Sequence, residues 1–319
     1  MKFRTEINPH PAPFLIDDQT RIITGGSCFA EHTGNFLKQH WFNVRVNPFG
    51  TMFNPHSLAN ILDRVVENRL FSPDDIFYHD GQWKSFELYT LFNHPGKDTY
   101  LARINDLISS VRRFLKQADI MILTYGTAQI FVEKQTGKRV ANCHKIPASR
   151  FEKQMLTADE IYRLTEHIYA TVRRLNPVMK FIFSVSPVRY LQDGLTANAQ
   201  SKARLLDAVI SFTRKHKAGT YYFPAYEIFT DDLRDYRFYA ADLIHPGEQG
   251  IRYVTEIFTR IFFDNKGKQM LQETEKLRKM IEHRFFDENS TPALKHKEKI
   301  IRLAVTLQKK YPGLKIPSF

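Results

Sequence analysis

Five short runs of apolar residues, rich in β-branched and aromatic types, recur along the chain: RIIT (21–24), NVRVN (43–47), DIMILTY (119–125), KFIFSVS (180–186) and TYYFPA (220–225). Runs with so little polar alternation suit strands covered on both faces, as in a parallel sheet. Helical patterns lie between them. NPHSLANILDRVVENRL offers Asn54 as N-cap and Pro55 at the first helical position, and TADEIYRLTEHIYATVRRLNP opens with a Thr157/Glu160 capping box and stops before Pro177. Strands alternating with helices imply right-handed βαβ units. The expected fold class is therefore α/β: a three-layer α/β/α sandwich around a mainly parallel five-stranded sheet.

Two segments break this rhythm. FVEKQTGKRV (131–140) reads as an inserted β-hairpin around a Thr-Gly turn, and the stretch from about Phe71 to Lys97, with its aromatics, Pro and Gly, reads as a second insertion. From about residue 264 the pattern changes to two basic amphipathic helices, the second opening at Ser290-Thr291-Pro292. The expected organisation is a domain over 1–262 and a helical C-terminal appendage over 263–319. The appendage can serve as a homodimerisation element, a lid or a basic patch, and its heptad-like apolar spacing says that it packs on something.

At 319 residues and 43% hydrophobic content the chain can bury a sizeable core, which excludes disorder as the dominant state. Cys28 and Cys143 are its only cysteines, too few for a disulfide framework. No signal-like apolar region follows the N-terminal charges and no window approaches the ~20 apolar residues of a membrane span. A soluble, cytoplasmic protein is the expectation. Lys and Arg total 46 against 34 Asp and Glu, a net charge of +12. The basic residues are dispersed, with an excess in the tail, and no nucleic-acid motif accompanies them, so a solvated basic surface is expected rather than a nucleic-acid interface.

In open α/β sheets ligands bind beyond the carboxyl ends of the strands. The first run ends in Gly25-Gly26-Ser27, the second in Asn47-Pro48-Phe49-Gly50, the third in Tyr125-Gly126-Thr127, and the fourth leads to Arg189. Past the fifth comes DLRDYRFYAADLIHPGEQG, with Asp242 and His245 three residues apart. A carboxylate and an imidazole at that spacing can meet within one turn, the Asp fixing the tautomer while the other ring nitrogen faces Ser27. Each part has a plainer reading: a Ser after a strand is commonly a helix N-cap, and a DxxH is commonly a surface turn. Together they are the parts of a hydrolytic triad of Ser27, His245 and Asp242.

GGSCFAEH (25–32), NPFGTMFNP (47–55), LTYGTA (123–128), NCHKIP (142–147), SVSPVRYLQDG (184–194), SKARLL (201–206), YYFPAYEI (221–228) and LRDYRFYAADLIHP (233–246) occur in order over roughly residues 1–262. This set resembles the GSCFA family, which is grouped with the SGNH (GDSL-like) hydrolases of flavodoxin-like architecture. The resemblance implies that Ser27 is the nucleophile, with Gly25-Gly26 where a Gly-Asp pair usually stands. It implies that Gly50 and Ser27 give backbone N–H groups to an oxyanion hole, and that Asp242 and His245 complete the triad. The usual Gly-x-Asn of the third block reads Gly126-Thr127-Ala128 here, so its Asn donor, worth ~3 to 4 kcal/mol in the transition state, is missing. Thr127, Gln129 or Asn142 are the candidates to replace it.

Asn142-Cys143-His144 also raises a metal or thiol alternative, but two cysteines without a CxxC spacing make a poor zinc site, and no metal or cofactor is expected. Cys28 falls one residue past the nucleophile position and is expected to turn inward as a small buried hydrophobe, leaving Ser27 exposed. Arg189, with Asn142 and His144, is a candidate for holding substrate, Arg189 by way of a carboxylate or phosphate; the charges of RDYR, Arg234 with Asp235 and Arg237 with Asp231, are expected to scaffold a loop. Three functions follow. One is a serine esterase removing O-acyl groups, O-acetyl on a glycan or small molecule among them. The second is an O-acyltransferase using the same triad, and the third is a non-catalytic ligand-binding protein on a hydrolase scaffold.

Overall fold

The computed structural model describes residues 4–319. Its strands are β1 (Arg21–Gly26), β2 (Asn43–Arg45), β3 (Phe77–His79), β4 (Gln82–Lys84), β5 (Ile120–Tyr125), β6 (Gln129–Glu133), β7 (Arg139–Val140), β8 (Phe151–Met155), β9 (Lys180–Val185) and β10 (Thr220–Tyr222). The helices are α1 (Cys28–Gln39), α2 (Pro55–Glu67), α3 (Lys97–Leu115), α4 (Ala158–Leu175), α5 (Gly194–Lys215), the short α6 (Ala225–Glu227), α7 (Glu248–Phe262), α8 (Asn265–Glu282) and α9 (Thr291–Lys310). The five expected runs form one sheet in the order β10-β9-β5-β1-β2, parallel throughout. In order of appearance within that sheet this is the 2-1-3-4-5 doubly wound arrangement, whose switch point lies between its first and third strands.

The pleat explains why the runs are apolar without alternation. Ile23, Met121, Leu123, Phe181 and Phe183 face one core with Leu62 and Val65 of α2, Ile108 of α3, Ile168 of α4 and Val209 of α5. Their neighbours Ile22, Ile120, Ile122 and Ile182 face a second core with Leu37 of α1 and Ile257, Phe258 and Ile261 of α7. Successive side chains point to opposite faces, and here both faces are covered by helices. Asn54 accepts from Ser57 N at 2.8 Å and Thr157 and Glu160 form the reciprocal box, so α2 and α4 start where their caps place them.

Both insertions are present, and one is larger than expected. The hairpin β6–β7 gains a third antiparallel strand, β8, registered from Gln129 opposite Met155 to Glu133 opposite Phe151. β8 is exposed at three of its five residues and its sequence, FEKQM, carries no strand-like apolar pattern. The 71–97 insertion holds the β3–β4 hairpin and is tied to α2 through Arg64. That buried guanidinium donates to Asp75 at 2.7 Å and Glu87 at 2.6 Å and lies over the Phe71 ring.

The last two helices do not stand apart from the sheet. Met270, Leu271 and Leu277 of α8 and Ala304 and Leu307 of α9 belong to the same apolar cluster as Ile22 and Leu37. Backbone contacts close the arrangement: Lys315 N donates to Trp41 O at 2.6 Å, and Gly313 N donates to Asp18 Oδ2 at 3.0 Å. Gly313 lies so close to the Asp18 carbonyl that a Cβ there would stand 2.0 Å from its oxygen. The apolar spacing of the tail thus serves the main core. Among the described residues no helix is long and apolar enough to cross a membrane.

His40, at the end of α1, sits between the two parts and is 4% exposed. Its Nδ1 is 2.7 Å from Thr274 Oγ1 of α8, and Glu275 lies 3.9 Å from Nε2. Burial outweighs the Glu275 charge and pushes its pKa down to about 4. His40 is then neutral in the fold but protonates near 6.5 when unfolded, so its contribution is complete above about pH 6.5 and is lost as pH falls toward 4. The full loss is on the order of 3 kcal/mol. In urea unfolding at pH 7.5, 6 and 4.5, wild type is expected to weaken on the acid side more steeply than His40→Gln, which cannot charge; parallel pH curves would remove His40 from the account.

Candidate active site

The site is at the switch point, where β1 and β5 end side by side. β1 finishes at Gly26 with φ +124°, and a Cβ there would lie 2.1 Å from Thr124 O. No side chain fits in that contact, which is why glycine stands there. Ser27 follows as N-cap of α1, extended at φ −82°. Its N–H donates to Thr124 O at 2.9 Å, continuing the ladder between β1 and β5, and its Oγ faces Gly126, where a Cβ would come within 3.1 Å of it.

The backbone N–H groups expected at the oxyanion hole have partners within the chain. The Ser27 N–H is occupied by Thr124 O, and the Gly50 N–H closes a turn onto Asn47 O at 2.8 Å. Gly126 and Thr127 both donate their N–H groups to Phe53 O, at 2.7 and 2.9 Å. The Thr127 hydroxyl pairs with Ser201 Oγ at 3.2 Å and accepts from Gln129 N. Gln129 is buried with its amide oxygen unpartnered among the described residues. Asn142 Oδ1 is engaged by His144 N at 2.8 Å, and His144 is buried between Phe77 and Phe86 with Nε2 2.7 Å from Ser85 O. Asn142 and His144 thus organise the insertions, packed beside the Val140–Ile146–Phe151 cluster.

The Asp242–His245 pair is formed. Asp242 Oδ1 accepts the N–H groups of Ile244 and His245 at 2.9 and 3.0 Å, and Oδ2 is 2.6 Å from His245 Nδ1. Those two backbone donors, then the imidazole, hold the Asp242 pKa at about 2. An ionised Asp242 keeps the proton on Nδ1 and leaves the Nε2 lone pair outward. Leu243 takes φ +58° to make the turn, and the His245 side chain is 51% exposed. No hydrogen bond joins His245 to Ser27 among the described residues. The neighbouring charges scaffold the loop as expected, but with the pairing exchanged: Arg234 meets Asp231 at 3.1 Å and Arg237 meets Asp235 at 3.3 Å.

A small apolar cleft of about 20 Å³ is walled by the residues next to each part, Cys28, Phe29 and His32 of α1, Ser186 to Val188 after β9, and Pro246 and Val254, while Ser27, Asp242 and His245 themselves do not line it. The exposures of Ser27 and Cys28 are the reverse of the expectation. Ser27 is 2% exposed, whereas Cys28 is half-buried and walls the cleft. The cause is where the helix begins: residues 28, 29, 32 and 33 share the face of α1 that looks toward α7, while Ser27 is still within the β1–β5 edge. Burial raises the Cys28 thiol pKa.

One side chain at this edge was missed. Lys202 of α5 is 1% exposed, and its Nζ donates to Gly126 O at 2.5 Å and Ser186 O at 2.6 Å. Burial brings its pKa down to about 7. The signal was available: Lys202 lies on the apolar stripe of α5 with Leu205, Val209 and Phe212, a place where a lysine cannot reach water. Arg189 pairs with no carboxylate among the described residues; it donates to Tyr239 Oη at 2.9 Å and Tyr236 Oη at 3.3 Å and lies over both rings. No group of three or more His, Cys, Asp or Glu among the described residues is placed to hold a metal ion.

The chain is thus a doubly wound α/β protein with a serine turn and an Asp–His pair around the carboxyl end of its sheet. It belongs to the GSCFA family, whose model matches residues 21–258. No curated protein sequence matches it. Among solved structures it is similar to a carbohydrate esterase family 3 protein from Talaromyces cellulolyticus, at 9% identity and TM-score 0.33 over 81% of this chain and 99% of that one. It is also similar to an acetyl esterase mutant with acetate ion, at 8% identity and TM-score 0.37 with the same coverage. Likeness at that level does not extend to side chains.

The tightness of the first turn is testable. Gly26→Asp is expected to cost at least about 3 kcal/mol, since it adds a backbone clash to an unfavourable φ. Chemical denaturation reads the loss, and a variant as stable as wild type would mean that β1 ends differently.

Proposed function

We propose that the protein is a serine hydrolase of the SGNH type that cleaves O-acyl esters. The observation carrying this reading is the formed Asp242–His245 pair on a loop whose Pro246 walls the same cleft as Cys28, the residue next to Ser27. In the first step Ser27 Oγ gives its proton to His245 Nε2 and bonds the ester carbonyl carbon; the alcohol leaves with the proton from His245, and water releases the acid by the reverse route. Serine–histidine contacts of this kind often tighten only in the Michaelis complex.

The oxyanion needs donors other than those the family pattern implies. α1 starts at Cys28 and the Ser27 side chain makes no cap bond, so the first-turn N–H groups of Cys28 and Phe29 are orphan donors beside the nucleophile, at the positive end of the helix. They are the groups we assign to the developing negative charge. Arg189, Tyr236 and Tyr239 form a rim beside the dyad, since Tyr239 is bridged to Pro246, and a polar alcohol portion such as a sugar can rest there. Both cysteines are free, in keeping with a reducing, cytoplasmic setting. Leu294, Ile301 and Val305 leave apolar surface on α9 for a homodimer, which is part of the proposal.

A second reading is favoured by the burial of Ser27 and the occupied N–H groups: a non-catalytic ligand-binding protein on the same scaffold. Turnover of short-chain nitrophenyl esters decides between them. Wild type is expected to hydrolyse the acetyl ester, with Ser27→Ala and His245→Ala at least about 100-fold slower. Equal rates in all three would end the hydrolase reading. Product formation only when a sugar acceptor is supplied would instead make the protein an acyltransferase.

A further inference from the structure

Lys202 is a cation enclosed at the carboxyl edge of the sheet with no carboxylate partner among the described residues. Burying an unpaired ammonium is costly, and Leu or Met would fill the same stripe of α5 without that cost. Its two hydrogen bonds are not to neighbouring side chains. They go to the carbonyls of Gly126 and Ser186, the residues that follow β5 and β9, and Gly126 is the residue against which Ser27 Oγ rests. The strand ends therefore meet on this one nitrogen.

We propose that Lys202 is a positioning residue for the chemistry at Ser27: its ammonium ties the Gly126 and Ser186 carbonyls into a fixed floor and brings a buried positive charge to the site that lacks the Asn donor. The proposal rests on the serine-hydrolase reading. A fixed charge in a low-dielectric, water-excluded place acts on charge that develops in the transition state and does little for the neutral ester. The charge is also conditional. Desolvation leaves the ammonium with a pKa of about 7, so it is lost as pH rises through neutrality rather than near 10.5. The titratable group facing it is the Cys28 thiol from α1, which burial keeps protonated; the Gly126 and Ser186 carbonyls and the Ser201 hydroxyl carry no charge.

The test follows fluorophosphonate labelling of Ser27 in the full chain from pH 6 to 9, by intact mass, for wild type, Lys202→Met and Ser27→Ala. The amide resonances of Gly126, Thr127 and Ser186 are recorded over the same range. At pH 6 Lys202→Met is expected to label at least tenfold more slowly than wild type. The wild-type rate should fall on the alkaline side until the two converge near pH 9, and the wild-type amides should titrate in step. A lysine that only props up the loop would leave Lys202→Met slower by one constant factor at every pH, which overturns the proposal. Should Lys202→Met fail to fold, the wild-type profile still decides: labelling without an alkaline fall, or amides that do not titrate near neutrality, rejects it. Wild type that Ser27→Ala matches at every pH rejects the hydrolase reading itself, and this role with it.

Discussion

The close meeting of β1 and β5 at the Thr124 carbonyl governs the site. That oxygen excludes any side chain from Gly26 and takes the Ser27 N–H, so the ladder to β5 runs on one residue past Gly26 before α1 can begin. Two consequences follow. Ser27 is held at the sheet edge with its hydroxyl against Gly126, and the first free N–H groups shift to Cys28 and Phe29. A turn one residue looser would put Ser27 in solvent and leave its own N–H to serve an anion. The tighter turn moves the electropositive end of the helix one position along the chain.

The architecture was legible because its signals are local and redundant. Runs such as DIMILTY are apolar at every position only if both faces are covered, and the pleat of β5 divides Ile120 and Ile122 from Met121 and Leu123 accordingly. Asn54, Thr157 and Ser290 announce their helices through side-chain acceptors that need no tertiary partner. The Asp242–His245 pair was legible for the same reason, since three residues of separation are enough for contact. What the sequence left hidden depends on distant partners. β8 pairs through backbone groups with residues that look like loop, and α8 shows an apolar stripe without showing that Ile22 and Leu37 lie beneath it.

Individual side chains in the site were harder still. Asn142 is a candidate donor only if the hairpin folds back onto the site, and His144 a candidate substrate contact, but each already satisfies a local need: Asn142 caps its own turn, and His144 fills a gap between two phenylalanines. Backbone N–H donors are invisible to residue type, so Ser27 and Gly50 could be assigned to an oxyanion hole by position alone while both were engaged elsewhere. Lys202 was overlooked for the opposite reason, because lysine in a helix is read as solvated surface. Only its register with Leu205, Val209 and Phe212 gives it away.

The two faces of the sheet do different things at this edge. The α1–α7 side supplies Cys28, His32, Pro246 and the cleft, and its loop carries the half-exposed imidazole. The α2–α5 side supplies Lys202, fixed by two carbonyls and closed to water. Ser27 lies between, belonging to the rigid edge through its backbone and turned toward the residue that Lys202 holds. In this arrangement the parts that must be preorganised are built into the sheet and its buried helix, where reorganisation is costly. The imidazole sits on a turn held by Asp242 and by the backbone bonds of Ala240 N to His245 O and Gly247 N to Phe238 O. Ser27 thus lies between a solvent-facing turn that carries the imidazole and an edge closed to water by Lys202.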